Sequence, residues 1–256
     1  MEGVNFDLTG KVAIITGSGS GIGRSIALGI SQAGATVVVT ELPGKEEAAI
    51  ETAEAVWKGG REAITVELDV RNIKSVEQMV ERAVESFGRI DILVNNAGVI
   101  IRKKAIETSE EEWDRVMDVN LKGVFFTSQA VAREMIKKRS GKIINISSIN
   151  GVIGSDERAS YTASKAGVIN LTRTLAAEWA GYGINVNAIG PTYLLTPLTK
   201  SLFENTDFKV KYFERQPMQR IGQPEDILGA VIYLASSASD LVTGHTLMVD
   251  GGWTAV

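Results

Sequence analysis

Short apolar runs alternate with longer stretches of helical period along the whole chain. The runs, rich in Val, Ile and Ala, predict buried strands at 12–16, 36–40, 63–68, 90–94, 142–146, 184–189 and 246–249. Apolar residues at every third or fourth position predict helices over 22–33, 45–57, 73–87, about 110–138, 159–180 and 225–236. This alternation predicts an α/β fold with a doubly wound, parallel, seven-stranded sheet and helices on both faces.

One segment, 191–223, breaks this alternation. It contains three prolines, several aromatic residues and no clear strand. An irregular insertion of that length in a doubly wound fold is typical of a lid or a binding loop, so we expect a substrate-binding lid there. Since no linker rich in Pro, Gly or Ser divides the chain, residues 1–256 are expected to form a single domain.

Composition narrows the classes of function. The 256 residues include 27 Lys and Arg against 31 Asp and Glu, a net charge of −4, which argues against a nucleic-acid partner. The chain has no Cys, which excludes disulfides, thiolate metal sites and a Cys nucleophile. Its one His is His245, to which no role is assigned, and no metal site is expected. Because the chain has neither a signal-like start nor an apolar stretch of about 20 residues, we expect a cytoplasmic protein without a membrane partner.

A glycine-rich loop joins the first strand to the first helix. A strict G-x-G-x-x-G fails because Ile22 occupies the third glycine position, but the spacing Gly17, Gly21, Gly23 fits a variant of that loop. The glycines allow a tight turn, close approach of backbone to a pyrophosphate and close packing of helix on strand. The amide groups at the N-terminus of the following helix can donate hydrogen bonds to phosphate oxygens. The loop and helix together therefore indicate a dinucleotide-binding, or Rossmann, site.

Glu41 follows Gly23 by 18 residues and ends the second predicted strand. A carboxylate there can accept hydrogen bonds from the ribose hydroxyls of NAD and repel the additional phosphate of NADP. NAD is therefore the preferred cofactor. NADP stays open, because Arg24 and Lys45 are near in sequence and could reach a phosphate.

Tyr161 and Lys165 lie four residues apart on one predicted helix, hence on one face. A phenol beside an ammonium suits general acid–base chemistry, because the cation favours phenolate and lowers the phenol pKa. Ser147 and Ser148 end the fifth strand, at the sheet edge where such folds bind ligands. Asn120 interrupts an otherwise good helix.

Between 8 and 252 the chain resembles the short-chain dehydrogenase/reductase family. Several motifs in the right order carry the resemblance: Thr16-Gly17-x-x-x-Gly21-Ile22-Gly23, Asp69-Val70, Asn95-Asn96-Ala97-Gly98, Asn120, Ser148, Tyr161-x-x-x-Lys165 and Val249-Asp250-Gly251-Gly252. In the family, the residue at Tyr161 transfers the proton, and the one at Lys165 binds the nicotinamide ribose and lowers the tyrosine pKa. The resemblance further implies that Ser148 holds the substrate oxygen and that Asn120 holds a water that extends a proton relay.

The resemblance also implies a cofactor site. The Asp69 side chain and the Val70 backbone would flank the adenine, and 96–98 would line the cofactor. The expected cofactor-binding set is Gly17, Ser20, Gly21, Ile22, Gly23, Glu41, Asp69, Val70, Asn96, Ala97, Gly98, Tyr161, Lys165, Pro191 and Thr192. One departure stands out, since the family often has Pro-Gly after the sixth strand and this chain has Pro191-Thr192. The family further implies a homotetramer built from the helices around 110–138 and 159–180 and the C-terminal strand.

Within the family the chain is most similar to gluconate 5-dehydrogenases and related sugar-acid dehydrogenases. We therefore expect an oxidoreductase that transfers a hydride between a nicotinamide cofactor and a small-molecule sugar acid of the gluconate or 5-keto-gluconate type. Arg102, a few residues after Gly98, is expected to bind the substrate carboxylate, with Ser148 and Tyr161 completing the substrate site. Lys103 could take its place, and a solvated loop charge is the alternative for Arg102.

Two other functions stay open. A 3-oxoacyl-carrier-protein reductase resembles the chain over the same span, but usually uses NADPH and a basic residue in the glycine loop, which Ser18 and Ser20 do not supply. A regulator that senses NAD without turnover needs no proton relay, so the intact set of Ser148, Tyr161 and Lys165 argues against it.

Overall fold

The computed structural model describes residues 4–256. Its framework is one parallel sheet of seven strands, in the order β3-β2-β1-β4-β5-β6-β7, which confirms the predicted fold class. The strands are β1 (Val12–Ile15), β2 (Thr36–Glu41), β3 (Ala63–Glu67), β4 (Ile92–Asn95), β5 (Gly141–Ile146), β6 (Ile184–Pro191) and β7 (Thr246–Val249).

Helices cover both faces of the sheet. They are α1 (Gly21–Gln32), α2 (Glu46–Lys58), α3 (Ile73–Phe87), α4 (Glu110–Met117), α5 (Gly123–Lys138), α6 (Ala159–Trp179), α7 (Lys200–Glu204), α8 (Thr206–Arg215) and α9 (Leu228–Ala235). In the part of the chain that is described, none of them is both long and apolar enough to cross a bilayer.

The apolar strands are explained by burial on both sides. In β1, Ala13 and Ile15 pack into a core that includes α1 and α9, whereas Val12 and Ile14 pack into a second core with α3 and α5. Because a strand between two helix layers meets apolar side chains on either face, it has a continuous apolar run rather than an alternating pattern.

The chain reverses its winding direction at β1. This strand pairs with β2 on one side and β4 on the other, so that Ile15 lies opposite both Val39 and Val94. In open parallel sheets the crevice at such a switch point, outside the carboxyl ends of the strands, binds the ligand. The fold therefore places the glycine loop after β1 and the turn after β4 at one crevice.

The predicted helix from Ser109 to about Lys138 contains a π-helical turn. Its start is as predicted: Ser109 and Glu112 form the reciprocal hydrogen bonds of a capping box. A π-helical turn, Asp118–Lys122, then separates α4 from α5. The helical backbone nevertheless continues to Lys138 as predicted, and the π turn itself is what the sequence did not predict: Asn120 bonds to the Val99 backbone, and one extra residue in the turn gives its side chain that direction.

The segment 191–223 is less irregular than predicted, since it contains α7 and α8. Asn205 caps α8 by accepting a hydrogen bond from the Phe208 amide at 2.9 Å. Aromatic rings anchor the segment in a cluster of edge-to-face and tilted pairs formed by Tyr193, Phe203, Phe208, Tyr212 and Trp253. The helix predicted over 225–236 likewise begins with a 3₁₀ turn, Pro224–Ile227, before α9.

Candidate active site

A cleft of about 530 Å³ runs along the carboxyl ends of the strands. At one end it is bounded by the glycine loop and Glu41, and at the other by Ser148, Tyr161 and Tyr193. Every residue of the predicted cofactor and substrate sets lines it. Asn120 is the exception among the predicted catalytic residues: it is fully buried behind the cleft wall.

The glycine loop requires glycine at specific positions. Gly17 and Gly21 have φ of 63° and 54°, in the left-handed region that side chains disfavour. A Cβ on Gly23 would lie 2.2 Å from the Gly17 carbonyl oxygen, so any side chain there would displace the loop backbone. The three glycines singled out by spacing are thus the ones that the turn and its packing demand.

Asn96 holds the glycine loop against the end of β4. Its Nδ2 donates to the carbonyl oxygens of Thr16 and Gly17, both at 2.9 Å. In return the Thr16 hydroxyl accepts from the amides of Asn96 and Ala97. The Asn96 side chain therefore shapes the cleft by fixing its two rims to each other.

The Glu41 carboxylate lies at the rim of the glycine loop. Its Oε2 accepts a hydrogen bond from the Gly19 amide at 3.2 Å, and its Oε1 accepts from the Leu42 amide at 3.0 Å. A Cβ on Gly19 would stand 2.8 Å from that carboxylate, so glycine at 19 lets it approach; the spacing argument had missed this residue. Of the two cations considered for NADP, Lys45 lines the cleft, whereas Arg24 pairs with Glu51 at 3.3 Å.

Asp69 reaches the cleft as an ion-paired residue. Its carboxylate accepts from Arg71 Nε and Nη2 at 2.9 and 2.7 Å, and this hydrogen bonding holds the pKa of Asp69 below its ordinary value. Val70 beside it is buried and contributes to the cleft wall. The pair thus forms the wall expected to face an adenine.

Tyr161 and Lys165 share one face of α6, as their spacing predicted. Lys165 is buried, and its Nζ lies 5.6 Å from the centroid of the Tyr161 ring while donating to the Ile146 carbonyl oxygen at 2.8 Å. Ser148, just after β5, caps a short 3₁₀ turn through a hydrogen bond from the Asn150 amide. The end of β5 and one turn of α6 therefore bring these three side chains to the same part of the cleft.

Burial governs the ionisation of both α6 groups. It raises the pKa of the Tyr161 phenol, against which the Ser148 hydroxyl and the guanidinium groups of Arg158 and Arg102 act in the opposite direction. Burial also lowers the pKa of Lys165 to about 8. The sequence predicted a Tyr161 pKa lowered by Lys165; in the structure desolvation outweighs the cations, and the phenol is protonated at neutral pH.

Asn120 connects the turn after β4 to α6. Its Oδ1 accepts from the Val99 amide at 2.8 Å, and its Nδ2 donates to the Val99 carbonyl oxygen and to Ser164 Oγ at 2.9 and 3.2 Å. Ser164 immediately precedes Lys165. The side chain thus fixes the cleft wall to the helix that carries the candidate catalytic groups.

Arg102 lines the cleft at the end near Tyr161, together with Arg158 and Tyr193, which sequence reasoning had not selected. Arg158 donates to the Tyr193 hydroxyl and to Ser155 Oγ, the latter at 2.7 Å. Lys103, the proposed substitute for Arg102, is instead paired with Glu112 at 2.9 Å. The position of Arg158, three residues before Tyr161 and at the start of the same helix, was the available sequence signal.

The structure also shows the surroundings of the Pro191-Thr192 pair and of His245. Pro191 ends β6 and Thr192 follows it with a φ outside the left-handed region, so threonine causes no backbone strain where the family often has glycine. The backbone of His245 bonds to Asn187 and Ala188 just before β7.

Fold and cleft together define a dinucleotide-binding enzyme architecture. Comparison with known sequences agrees: a family profile described as enoyl-(acyl carrier protein) reductase matches residues 17–254. The chain belongs to the short-chain dehydrogenase/reductase family, a family of oxidoreductases.

Three relatives are similar along nearly their full length. A 2-dehydro-3-deoxy-D-gluconate 5-dehydrogenase of Dickeya dadantii is 47% identical over 251 residues, 98% of either chain. A 3-oxoacyl-[acyl-carrier-protein] reductase of Thermotoga maritima is 42% identical, covering 96% of this chain and 98% of the relative. The crystal structure of a gluconate 5-dehydrogenase from Burkholderia cenocepacia with NADP and tartrate superimposes with a TM-score of 0.95 at 41% identity, covering 99% of this chain and 98% of that one.

Proposed function

We propose that this protein transfers a hydride between a nicotinamide cofactor and a sugar acid of the gluconate or 5-keto-gluconate type. One observation carries the proposal: Ser148, Tyr161 and Lys165 share a single cleft with a dinucleotide-type glycine loop, and Arg102 lies beside them. The sugar-acid relatives, at up to 47% identity, support the substrate class.

The residues present fit a dinucleotide. Ser20, the residue before α1, makes no side-chain hydrogen bond to the helix, and among the described residues the first turn of α1 contains no carboxylate. The first amides of α1 are therefore free to bind phosphate oxygens, with the helix dipole favouring the negative charge. Glu41 would hold the adenosine ribose, Asp69 and Val70 the adenine, and 96–98 with Pro191 and Thr192 the nicotinamide half.

When bound, the nicotinamide ring would accept a hydride from the alcohol carbon of the substrate, or return one to the ketone. Tyr161 takes up the hydroxyl proton as that alcohol is oxidised and donates it back in reduction. Because burial raises its pKa, the phenol holds its proton in the ligand-free protein and is ready for the reductive direction. Ser148, at the same end of the cleft, donates a hydrogen bond to the reacting oxygen.

Lys165 and Asn120 support Tyr161. The Lys165 ammonium would hold the ribose next to the nicotinamide and stabilise the phenolate that forms during reduction. Asn120, buried between Val99 and Ser164, keeps α6 at a fixed distance from the turn after β4. The proton relay through a water at Asn120 is part of the same proposal.

Arg102 is proposed to bind the substrate carboxylate. A sugar acid has one permanent negative charge, and the protein itself is net acidic, so the anion needs a local cation in the cleft. The Arg102 side chain is exposed, yet partial desolvation in the cleft still lowers its pKa, an unfavourable state that a bound carboxylate would relieve.

NAD is the proposed preferred cofactor, because the Glu41 carboxylate at the rim of the glycine loop would repel the additional phosphate of NADP. Lys45 lines the same end of the cleft and is the residue that would accept NADP. The Burkholderia relative holds NADP, so the preference is decided by direct comparison of the two cofactors.

The segment 191–223 is proposed to be a lid, since residues 191–194 and 196–199 line the cleft and the aromatic cluster attaches them to α8.

A homotetramer is the proposed assembly. It is supported by the half-buried apolar residues Leu121, Phe125 and Leu171, which line an open groove between the π turn, α5 and α6. Light scattering should give four times the mass of one chain.

The second candidate function, reduction of a 3-oxoacyl-carrier protein, is supported by the Thermotoga relative. Two arginines at the substrate end of the cleft are a poor lining for an apolar acyl chain. A direct test follows NADH absorbance with a panel of gluconate, 5-keto-gluconate, related sugar acids, neutral polyols and an acetoacetyl thioester. Turnover of a sugar acid supports the proposal, and turnover confined to the thioester overturns it.

A further inference from the structure

Two guanidinium groups at the substrate end of the cleft have no carboxylate partner. Within residues 4–256, neither Arg102 nor Arg158 has a carboxylate oxygen within 4.0 Å, although the chain as a whole is acidic. A half-buried arginine such as Arg158 is ordinarily paired, because desolvating a lone cation is unfavourable. Arg102 is exposed but lines the same cleft, so two unpaired cations face the space where a substrate would bind, which indicates an anionic ligand.

The backbone brings the two arginines together. The Lys103 amide donates to the Glu157 carbonyl oxygen at 2.8 Å, and Lys103 and Arg158 form an isolated parallel bridge. Glu157 has a φ of 60°, in the left-handed region that is unfavourable for a glutamate. The chain thus adopts a locally strained turn just before Arg158 while this segment pairs with the one that carries Arg102.

Arg158 is held in place by neutral groups only. Its Nη1 donates to the Ser155 hydroxyl and to the Tyr193 hydroxyl, and the guanidinium lies 5.3 Å from the centroid of the Tyr193 ring. Its Nε is buried and has no hydrogen-bond partner among the described residues. The residue is therefore oriented, while its charge and its Nη2, which makes no hydrogen bond among the described residues and is not buried, remain available to a ligand.

The pKa shifts of Arg102 and Tyr161 also indicate that the two guanidinium groups lie near each other and near the phenol. The charge of Arg158 contributes to lowering the pKa of Arg102, after burial, and both cations lower the pKa of Tyr161. The two guanidinium groups thus repel each other across the space next to the reacting phenol. An anion between them would cancel that repulsion and could accept hydrogen bonds from both guanidinium groups.

We propose that Arg158, positioned by Tyr193, is the second cation of a two-arginine site that binds the substrate carboxylate together with Arg102. The inference rests on the proposed function and deepens it, because it requires a substrate with a carboxylate rather than a neutral polyol. Since Tyr193 belongs to the aromatic cluster of the lid, the same contact links carboxylate binding to the position of the segment 191–223.

The test compares Arg158→Ala, Arg102→Ala and the double variant, with Arg82→Ala on the exposed face of α3 as the matched control. We expect Arg158→Ala to raise the KM for D-gluconate about 10- to 100-fold, the range for one charged hydrogen bond. The KM for the cofactor, and the KM or inhibition constant for the neutral polyol D-glucitol, should change less than about threefold. Arg158→Lys should recover part of the loss, and Tyr193→Phe should show a smaller, equally carboxylate-selective loss.

A binding measurement separates this inference from the proposed function. Tartrate, a hydroxy acid with two carboxylates, is titrated against the enzyme with NADH present, using tryptophan fluorescence. Tight binding by wild type and Arg82→Ala but not by Arg158→Ala supports the two-arginine site even if no sugar acid is oxidised. Unchanged tartrate binding in Arg158→Ala, or an equal loss for gluconate and D-glucitol, overturns it. Sugar-acid turnover with an Arg158-independent KM would leave the proposed function standing and remove only the inference.

Discussion

The Lys165 ammonium lies one helical turn from Tyr161, 5.6 Å from its ring centroid, yet donates to the Ile146 carbonyl rather than to the phenol. Lys165 is buried and Tyr161 is half-buried in the cleft wall, and desolvation shifts each toward its neutral form: the pKa of Tyr161 rises and that of Lys165 falls to about 8. At neutral pH the phenol is uncharged in the folded and the unfolded chain alike, so the cost to the stability of the ligand-free protein comes from burying the Lys165 ammonium, as expected where function dictates the residue.

The first prediction concerns this cost. Below pH 8 Lys165 is charged in both the folded and the unfolded chain, so the penalty for burying the ammonium is fully present. Between about pH 8 and 10 the unfolded chain binds more protons than the folded one, so the free energy of unfolding rises with pH. Relative to Lys165→Met, wild type should gain about 2–3 kcal/mol from pH 7 to pH 10.

Urea unfolding of the ligand-free proteins at both pH values measures this gain. Lys74→Met, which removes an exposed lysine on α3, controls for net charge and should follow wild type. Parallel pH dependences of wild type and Lys165→Met would show that the buried ammonium is not under strain.

The second prediction concerns cofactor choice. The Glu41 carboxylate should give wild type a higher kcat/KM with NAD than with NADP, and Glu41→Ala should reduce the ratio at least about tenfold, equal to about 1.4 kcal/mol. Both cofactors are compared at fixed salt, with the exposed Glu47→Gln as the control. Equal use of the two cofactors by wild type would mean that Glu41 turns aside and Lys45 binds the phosphate.

The third prediction separates two glycines of one loop. A methyl group at 19 would lie 2.8 Å from the movable carboxylate of Glu41 and 3.0 and 3.2 Å from the Cβ and carbonyl carbon of Ala48, contacts that a small shift relieves, so Gly19→Ala should keep NADH binding and weaken the preference for NAD. A methyl group at 23 would meet the Gly17 backbone, so Gly23→Ala should lose NADH binding by at least about tenfold. NADH fluorescence titration gives both constants. Similar behaviour of the two variants would contradict this division of roles.

The fourth prediction concerns the lid. Limited trypsin digestion should cut first within 191–223, at Lys200, Lys209, Lys211, Arg215 or Arg220, because α7 and α8 pack mainly on each other and on the aromatic cluster rather than on the sheet. Cofactor with a sugar acid should protect these sites, whereas cleavage elsewhere in the chain should be unchanged. First cleavage outside the segment, or cleavage at equal rates with and without ligands, would argue against closure.

Patterns of apolar residues were sufficient to predict all seven strands and most helices, because strands buried on both faces and amphipathic helices carry strong local periodicity. They failed where a long-range contact decides the local structure. Asn120 is directed inward by Val99, which is 21 residues away, so no local pattern predicted the π turn. Helix α8 was missed because its apolar face packs on Tyr193 and Trp253 rather than on the sheet.

In the candidate site, too, features set by local sequence were predictable and features set by long-range contacts were not. Glycine spacing and the Tyr161–Lys165 pair are local and were predictable. Arg158 was not selected, because its partner Tyr193 is 35 residues away and its proximity to Arg102 depends on the pairing of two loops. The direction of the Tyr161 pKa was also unpredictable, since it depends on burial depth rather than on the nearest charge.

The central claim is that Tyr161 transfers the proton during hydride transfer to and from a sugar acid. The most direct measurement is kcat of Tyr161→Phe with the best sugar acid, alongside the NADH dissociation constant. Phenylalanine keeps the ring and its packing and removes only the hydroxyl. The account predicts that kcat falls by about 10²–10⁴ or more while NADH affinity stays within about threefold of wild type. A near-normal kcat in Tyr161→Phe would contradict it.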